Sequence, residues 1–146
     1  MGMKKSRLMD KKLNFPVITT VILNAFILIG AGHGFGFLFV YEILSLNFIF
    51  TDFTAFNWSH YDERLMPVSF LSLIFQILLL ICLRIKAGRL KRILITTFSL
   101  LLLLIFFFLV QDFSRSNLDK FSLIGAIPFF ISSLFLLFKV NFIKKS

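Results

Sequence analysis

Four long stretches of the chain contain no charged residue, and this feature limits the possible folds more than any other. The stretches cover residues 13–41, 65–83, 93–111 and 121–138, and they are 29, 19, 19 and 18 residues long. Because an α-helix rises about 1.5 Å per residue, roughly 20 residues span the hydrocarbon core of a bilayer, which is about 30 Å thick. In the third stretch, 15 of the 19 residues are Leu, Ile, Phe or Val, which favour the bilayer centre. Each stretch is long enough to cross a membrane as a helix.

The sequence therefore predicts an all-α integral membrane bundle of four transmembrane helices in a single domain, residues 1–146. The spans are expected at about 16–41, 66–84, 93–111 and 120–138, with an outer segment at 42–65 and a cytoplasmic loop at 85–92. Composition agrees, because 58% of the residues are hydrophobic and 16% are charged, against about 45–50% and about 25% in soluble domains. Pro16 and Pro67 are expected in the first turns of their helices, where a missing amide hydrogen is harmless.

The distribution of Lys and Arg predicts the orientation of the bundle. Residues 1–12 carry five, residues 84–92 carry five and the tail from Lys139 carries three, whereas the two other connections carry three in total. Basic loops remain in the cytoplasm, so both termini are predicted to be cytoplasmic. The cell membrane is the expected location, since abundant Phe and Lys are typical of AT-rich bacterial genomes. The basic clusters are expected to contact anionic lipid of the inner leaflet, and no nucleic-acid partner is predicted.

The outer segment mixes acidic and aromatic residues. Hydrophobic residues recur there at helical spacing, which favours an amphipathic helix in the interface. We expect Trp58 and Tyr61 to lie at the headgroup level. Glu42 is expected to reach solvent at the outer interface, and the alternative is a buried carrier group. This outer-loop interface either anchors the chain or docks a partner. His60 stands beside Asp62 and Glu63, but one histidine with two carboxylates is a weak pattern, and no metal site or cofactor is predicted.

Small residues in the spans predict close helix packing. Gly30, Gly32, Gly34 and Gly36 form two overlapping GxxxG pairs in the first span. The fourth span has a second small-residue face, formed by Ser122, Gly125 and Ala126. Such faces let helices approach closely in lipid.

Polar residues within the spans are the candidates for an intramembrane site: Asn24, His33, Gln76 and Pro128. Gln76 lies near the middle of its span, on one stripe with Ser72, and is expected to pair with another helix. Pro128 should kink the fourth span. His33 either takes part in proton or ligand binding or is a neutral imidazole bonded to a neighbouring helix.

Catalytic patterns are absent from the sequence, so a non-enzymatic protein is predicted. No phosphate-binding glycine loop, nucleophile arrangement or paired intramembrane carboxylates occur, and Cys82 is the single cysteine. The first functional hypothesis is a packing subunit that forms a homo-oligomer or joins a partner membrane protein. The alternative is a small transporter or channel whose cleft is lined by Asn24, His33 and Gln76.

Overall fold

The computed structural model describes residues 2–31, 34–51, 61–86 and 88–142, with side chains described for 13–30, 34–47, 61–86 and 88–142. These residues form six helices and one short β-hairpin, so the all-α class is confirmed. In chain order the elements are α1 (Gly2–Ala25), β1 (Leu28–Ala31), β2 (Gly34–Phe37), α2 (Leu38–Thr51), α3 (Tyr61–Cys82), α4 (Arg89–Leu109), α5 (Asn117–Gly125) and α6 (Ile127–Phe142).

Two of the helices, α3 and α4, are each long and apolar enough to cross a membrane. They correspond to the spans predicted at 66–84 and 93–111. Helices α5 and α6 together qualify as a third span, but they are bent by 50° at the break between them. The structure thus supports a transmembrane protein with two or three spans in the described residues, and the predicted four-span bundle is not confirmed.

The prediction of one continuous helix over residues 16–41 is wrong. Helix α1 ends at Ala25, and the chain turns back through an antiparallel hairpin in which Leu28 pairs with Phe37 and Gly30 with Phe35. The amide of Leu38 then donates to the carbonyl of Ile27 at 2.9 Å, so α2 begins beside the end of α1. Closely spaced glycines explain the break, because each glycine in a helix costs about 1 kcal/mol relative to alanine.

The two prolines that were expected in first turns lie further inside their helices. Helix α1 begins at Gly2 and contains Pro16, and α3 begins at Tyr61 and contains Pro67. Both helices therefore start earlier than predicted and continue with one backbone hydrogen bond missing at each proline. The kink predicted at Pro128 is confirmed, since α6 begins at Ile127 directly after the 50° bend.

The hairpin packs closely against α5. A side-chain carbon added at Gly125 would lie 2.7 Å from the carbonyl oxygen of Leu28, and one added at Gly30 would lie 2.6 Å from Leu118. Helix α1 runs along α6, where the Thr20 and Ser132 hydroxyls are hydrogen-bonded at 2.9 Å. Backbone that lacks helical hydrogen bonds is tolerated at membrane depth where protein covers it. In this bundle, α5 covers strand β1.

Apolar side chains dominate the outside of the bundle. Ile81 on α3, Leu104 on α4 and Phe138 on α6 are 51%, 54% and 62% exposed, whereas the α3 side chains Ser69 and Ser72 are buried. A water-soluble protein places such residues the other way round. This distribution is favourable in lipid, where the outer surface contacts acyl chains and polar groups pair inside.

Candidate functional site

A carboxylate lies inside the bundle at the contact of α1, α2 and α3. Glu42 is 3% exposed, so the prediction that it is solvated at the outer interface is wrong. Its hydrogen-bond partners, direct or through one hydroxyl, are Asn24, Ser72 and Gln76, and we call these four residues the Glu42 cluster. Asn24, Ser72 and Gln76 are 1%, 1% and 6% exposed.

The hydroxyl of Ser72 is the centre of the cluster. It donates to Oε1 of Glu42 at 3.0 Å and accepts from Nδ2 of Asn24 at 2.6 Å. The amide of Gln76, one helical turn further along α3, donates to the same Glu42 oxygen and lies 3.3 Å from the Ser72 oxygen. One donor and two acceptor positions are all that a hydroxyl offers, so every one of them is used.

The hairpin is what brings Asn24 and Glu42 to one hydroxyl. In a continuous helix these residues would be five turns apart, about 27 Å at 1.5 Å per residue. The hairpin between them instead returns the chain to the end of α1. The backbone hydrogen bond from the Leu38 amide to the Ile27 carbonyl holds the start of α2 there. The sequence analysis singled out Asn24 and Gln76, and the structure joins them through Ser72 and Glu42.

The cluster lies half-way along α3. Ser72 is 11 residues from Tyr61 and 10 residues from Cys82, which corresponds to about 16 Å and 15 Å of helix. If α3 crosses a bilayer of ordinary thickness, the Glu42 carboxylate lies near its midplane.

Glu42 has no balancing positive charge in the described part of the chain. Among the residues that the structure describes, no lysine or arginine lies within ion-pair distance of its carboxylate. The side chains that bond to it are a hydroxyl and an amide, both neutral. A buried carboxylate with neutral partners is costly to keep ionised.

A second group of polar side chains is buried near the first turn of α3, at the acidic end of that helix. The guanidinium of Arg64 contacts Asp112 at 2.7 Å and Asp119 at 3.2 Å, and we call these three residues the Arg64 cluster. Arg64 is 1% exposed and Asp119 is fully buried. Asp119 also accepts from the backbone amide of Asp112 at 3.1 Å, and its own amide donates to Ser116, the N-cap of α5.

The sequence analysis did not identify the Arg64 cluster. Two signals were available, since Arg64 is the only base in residues 42–64 and Ser116 precedes Asp119 at the spacing of a helix N-cap. Neither signal indicates that residues about 50 positions apart meet in space.

The remaining predicted site residues divide into three groups. Gly32, His33 and Trp58 lie outside the described residues, as does His60. Tyr61 is 7% exposed and its hydroxyl is bonded to Ser122, so it is buried and not part of an exposed interface. Pro128 is the second residue of α6, directly after the α5–α6 bend, and it is exposed. No group of three metal-ligating side chains occurs in the described part of the chain.

The small residues predicted for helix packing are mostly used within the chain. Gly30 and Gly125 face Leu118 and Leu28, as described above, and a side chain at Gly36 would meet Tyr41 at 3.0 Å. Ser122 bonds to Tyr61, and Ala126 is buried. Gly34 differs, because an added side chain there would meet nothing within 4 Å. These contacts explain the small residues without a second protein.

Comparison of the chain with protein-family models, with curated proteins and with solved structures gives no match.

Proposed function

We propose that the protein is a small, non-enzymatic transporter or channel in which Glu42 binds and releases a proton. The observation that supports this most directly is a buried carboxylate on α2 that lies beside the middle of α3, a helix long and apolar enough to span a membrane, and whose partners are neutral hydrogen-bond donors. Ionisable residues in membrane segments are costly and commonly mark ion pathways.

The chemistry of the site is a single reversible proton transfer. The ionised Glu42 carboxylate accepts the Ser72 and Gln76 hydrogen bonds; on taking up one proton it becomes a neutral acid, and it returns that proton when it ionises again. Ser72 orients the carboxylate for this step, because its hydroxyl donates to Glu42 while it accepts from Asn24. No bond other than an O–H bond forms or breaks.

The interrupted first segment also supports transport. Broken membrane segments commonly form the substrate sites of transporters, because their ends bring polar groups to mid-membrane. Here the end of α1 supplies Asn24 and the first turns of α2 supply Glu42. If the first segment were one continuous helix, these two side chains would lie far apart.

We further propose a multi-pass topology in the cell membrane with both termini and residues 85–92 in the cytoplasm. The positive-inside rule supports this orientation. Labelling of a C-terminal tag should occur only after intact cells are permeabilised, and labelling from outside intact cells would reverse the topology.

Proton flux in proteoliposomes tests the transport proposal. A potassium diffusion potential is applied with valinomycin, and a pH-sensitive dye inside the vesicles reports proton entry. We expect the wild-type protein to raise the rate above that of empty vesicles, and Glu42→Gln to lower it at least tenfold. The matched control is Asp62→Asn, since Asp62 is an exposed acid on α3, and its flux should equal the wild-type flux.

Two results would overturn the proposal. One is wild-type flux no faster than that of empty vesicles. The other is unchanged flux in Glu42→Gln when that variant is folded and reconstituted to the same density.

The packing-subunit hypothesis is the second candidate, and it is supported by the open backbone surface at Gly34 beside Phe35, which is 74% exposed. A partner helix could approach closely there. Cross-linking in native membranes tests it, with Gly34→Leu expected to abolish a cross-linked species. A chain that is monomeric at every detergent concentration would contradict this hypothesis.

A further inference from the structure

A groove of about 510 Å³ lies between the first turns of α4 and the last turn of α6. It is at the basic end of the bundle, next to residues 84–92. Its polar lining consists of Arg89, Arg92, Thr96 and Thr97 from α4 and Asn141 from α6. Two cations and two hydroxyls therefore face one open space.

The α4 side of the groove is one continuous face of the helix. Arg89 and Arg92 are three residues apart, and Thr96 follows four residues later, which are the spacings that place helical side chains side by side. Arginine presents a planar set of N–H donors that matches two oxygens of a phosphate, and threonine adds a hydroxyl donor. The face suits a phosphate group better than a neutral ligand.

The positive charge of the groove has no acidic partner within the described residues. No carboxylate lies within ion-pair distance of Arg89 or Arg92, and residues 84–92 contain no Asp or Glu. The Nε atom of Arg92 is buried, and no hydrogen-bond partner for it occurs in the described part of the chain. A buried donor without a partner is unfavourable, and an anionic ligand bound to the same guanidinium would balance its charge.

An apolar surface continues from the groove along both helices. Ile93 lies in the groove itself and is 51% exposed, and Leu100 and Leu104 follow it on α4 with 50% and 54% exposure. On α6, Phe138 and Phe142 are 62% and 65% exposed. A ligand with an anionic headgroup and long apolar chains would match the charged groove and the apolar faces of α4 and α6 beside it.

We propose that the groove binds the headgroup of an anionic glycerophospholipid, with the phosphate between Arg89 and Arg92 and the acyl chains along the exposed faces of α4 and α6. This is a specific site, distinct from diffuse attraction of the basic clusters to the membrane surface. A zwitterionic lipid is disfavoured, because its ammonium group would enter a space that already holds two cations.

Lipid retention by the full-length protein tests the proposal. The protein in detergent is titrated with phosphatidylglycerol or with phosphatidylcholine of the same acyl chains, and bound lipid is counted by native mass spectrometry. We expect the wild-type protein to bind phosphatidylglycerol at least tenfold more tightly than phosphatidylcholine. The double variant Arg89→Gln with Arg92→Gln should lose this preference.

The matched control is the double variant Arg84→Gln with Lys86→Gln. It removes the same charge from the same basic segment, but both side chains are exposed and neither lines the groove. We expect its affinity for phosphatidylglycerol to fall less than twofold. Equal losses in the two double variants would overturn the site in favour of diffuse attraction.

Two further outcomes would also overturn the proposal. One is equal affinity of the wild-type protein for the two lipids. The other is displacement of phosphatidylglycerol by an equal concentration of inorganic phosphate, which would identify a free anion as the occupant. Should the groove double variant fail to fold, Arg89→Gln alone is measured, because Arg89 is exposed; a threefold loss supports the site and no loss contradicts it.

Discussion

The two buried polar clusters on α3 are built in opposite ways. The Arg64 cluster pairs one cation with two carboxylates near the end of the helix. The Glu42 cluster places one carboxylate among neutral donors in the middle. Ser72 and Arg64 are eight residues apart on the same helix, so the difference does not come from the kind of element that carries them.

Under the proposed function, this difference separates a structural cluster from a functional one. The Arg64 cluster joins segments of the chain through opposite charges that share hydrogen bonds, and removing the cation leaves a buried carboxylate without compensation. A lone carboxylate with neutral partners can exist as an acid or as an anion, and the balance between them can follow the proton supply. The two clusters therefore lead to opposite predictions. Loss of Arg64 should mainly lower stability, and loss of the Glu42 carboxylate should mainly lower flux.

The largest expected effect on stability is that of Arg64→Ala. It leaves Asp119 fully buried without its cation, and breaking a buried ion pair in this way costs about 3–5 kcal/mol. Unfolding in mixed micelles measures the free energy. The control Arg115→Ala changes an exposed arginine in the neighbouring connection and should be nearly neutral; a similar loss in both variants would contradict the structural role of the Arg64 cluster.

Gly125→Ala should have the next largest effect, because its new methyl group would lie 2.7 Å from the Leu28 carbonyl oxygen. Displacing the hairpin from α5 should cost about 1–3 kcal/mol, as overpacking does. Proton flux should fall as well, since the hairpin positions Asn24 and Glu42. Gly34→Ala is the matched glycine substitution, with nothing within 4 Å of the added carbon, and it should leave both the unfolding free energy and the flux unchanged.

Ser72→Ala removes the hydroxyl shared by Asn24, Glu42 and Gln76, and it should cost about 1–2 kcal/mol because buried polar groups lose a partner. Its flux should fall together with its stability. Ser69→Ala is the control, since the Ser69 hydroxyl is equally buried but donates to the Leu65 carbonyl at 2.6 Å within α3. Equal flux in the two alanine variants would contradict a role of Ser72 in orienting Glu42.

The smallest stability change is expected for Glu42→Gln. The amide oxygen can still accept the Ser72 and Gln76 hydrogen bonds, and a neutral group is easier to bury, so the free energy of unfolding should change by less than about 1 kcal/mol. Flux should nevertheless fall at least tenfold. Strong destabilisation by this variant would place Glu42 in the same structural class as Arg64.

The sequence was sufficient for features that depend on local composition. The charge-free stretches at 65–83 and 93–111 predicted α3 and α4, because length and hydropathy alone decide whether a helix suits a membrane. The kink at Pro128 followed from the missing amide hydrogen and the ring of proline. These predictions require no knowledge of which helices meet.

The sequence was not sufficient where contacts between distant segments decide the structure. Gly30, Gly32, Gly34 and Gly36 were interpreted as two helix-packing pairs at a spacing of four, yet glycine at every second position also fits the period of a strand. Packing against α5 selected the strand. Glu42 was predicted to be solvated because a continuous helix would end there. The hairpin instead places it inside the bundle, where it is buried.

The reversal at the hairpin has a consequence for membrane insertion. In the cluster, α1 contributes one polar side chain, α2 one and α3 two, so no single segment carries the whole polar burden into lipid. The apolar parts of α1 and α2, Leu13–Ala25 and Leu38–Asn47, are shorter than a membrane span, whereas α3 is long enough to cross by itself. The four polar side chains meet only when the hairpin brings α1 and α2 together against α3, so the proposed activity would require this contact to form after the segments enter the membrane.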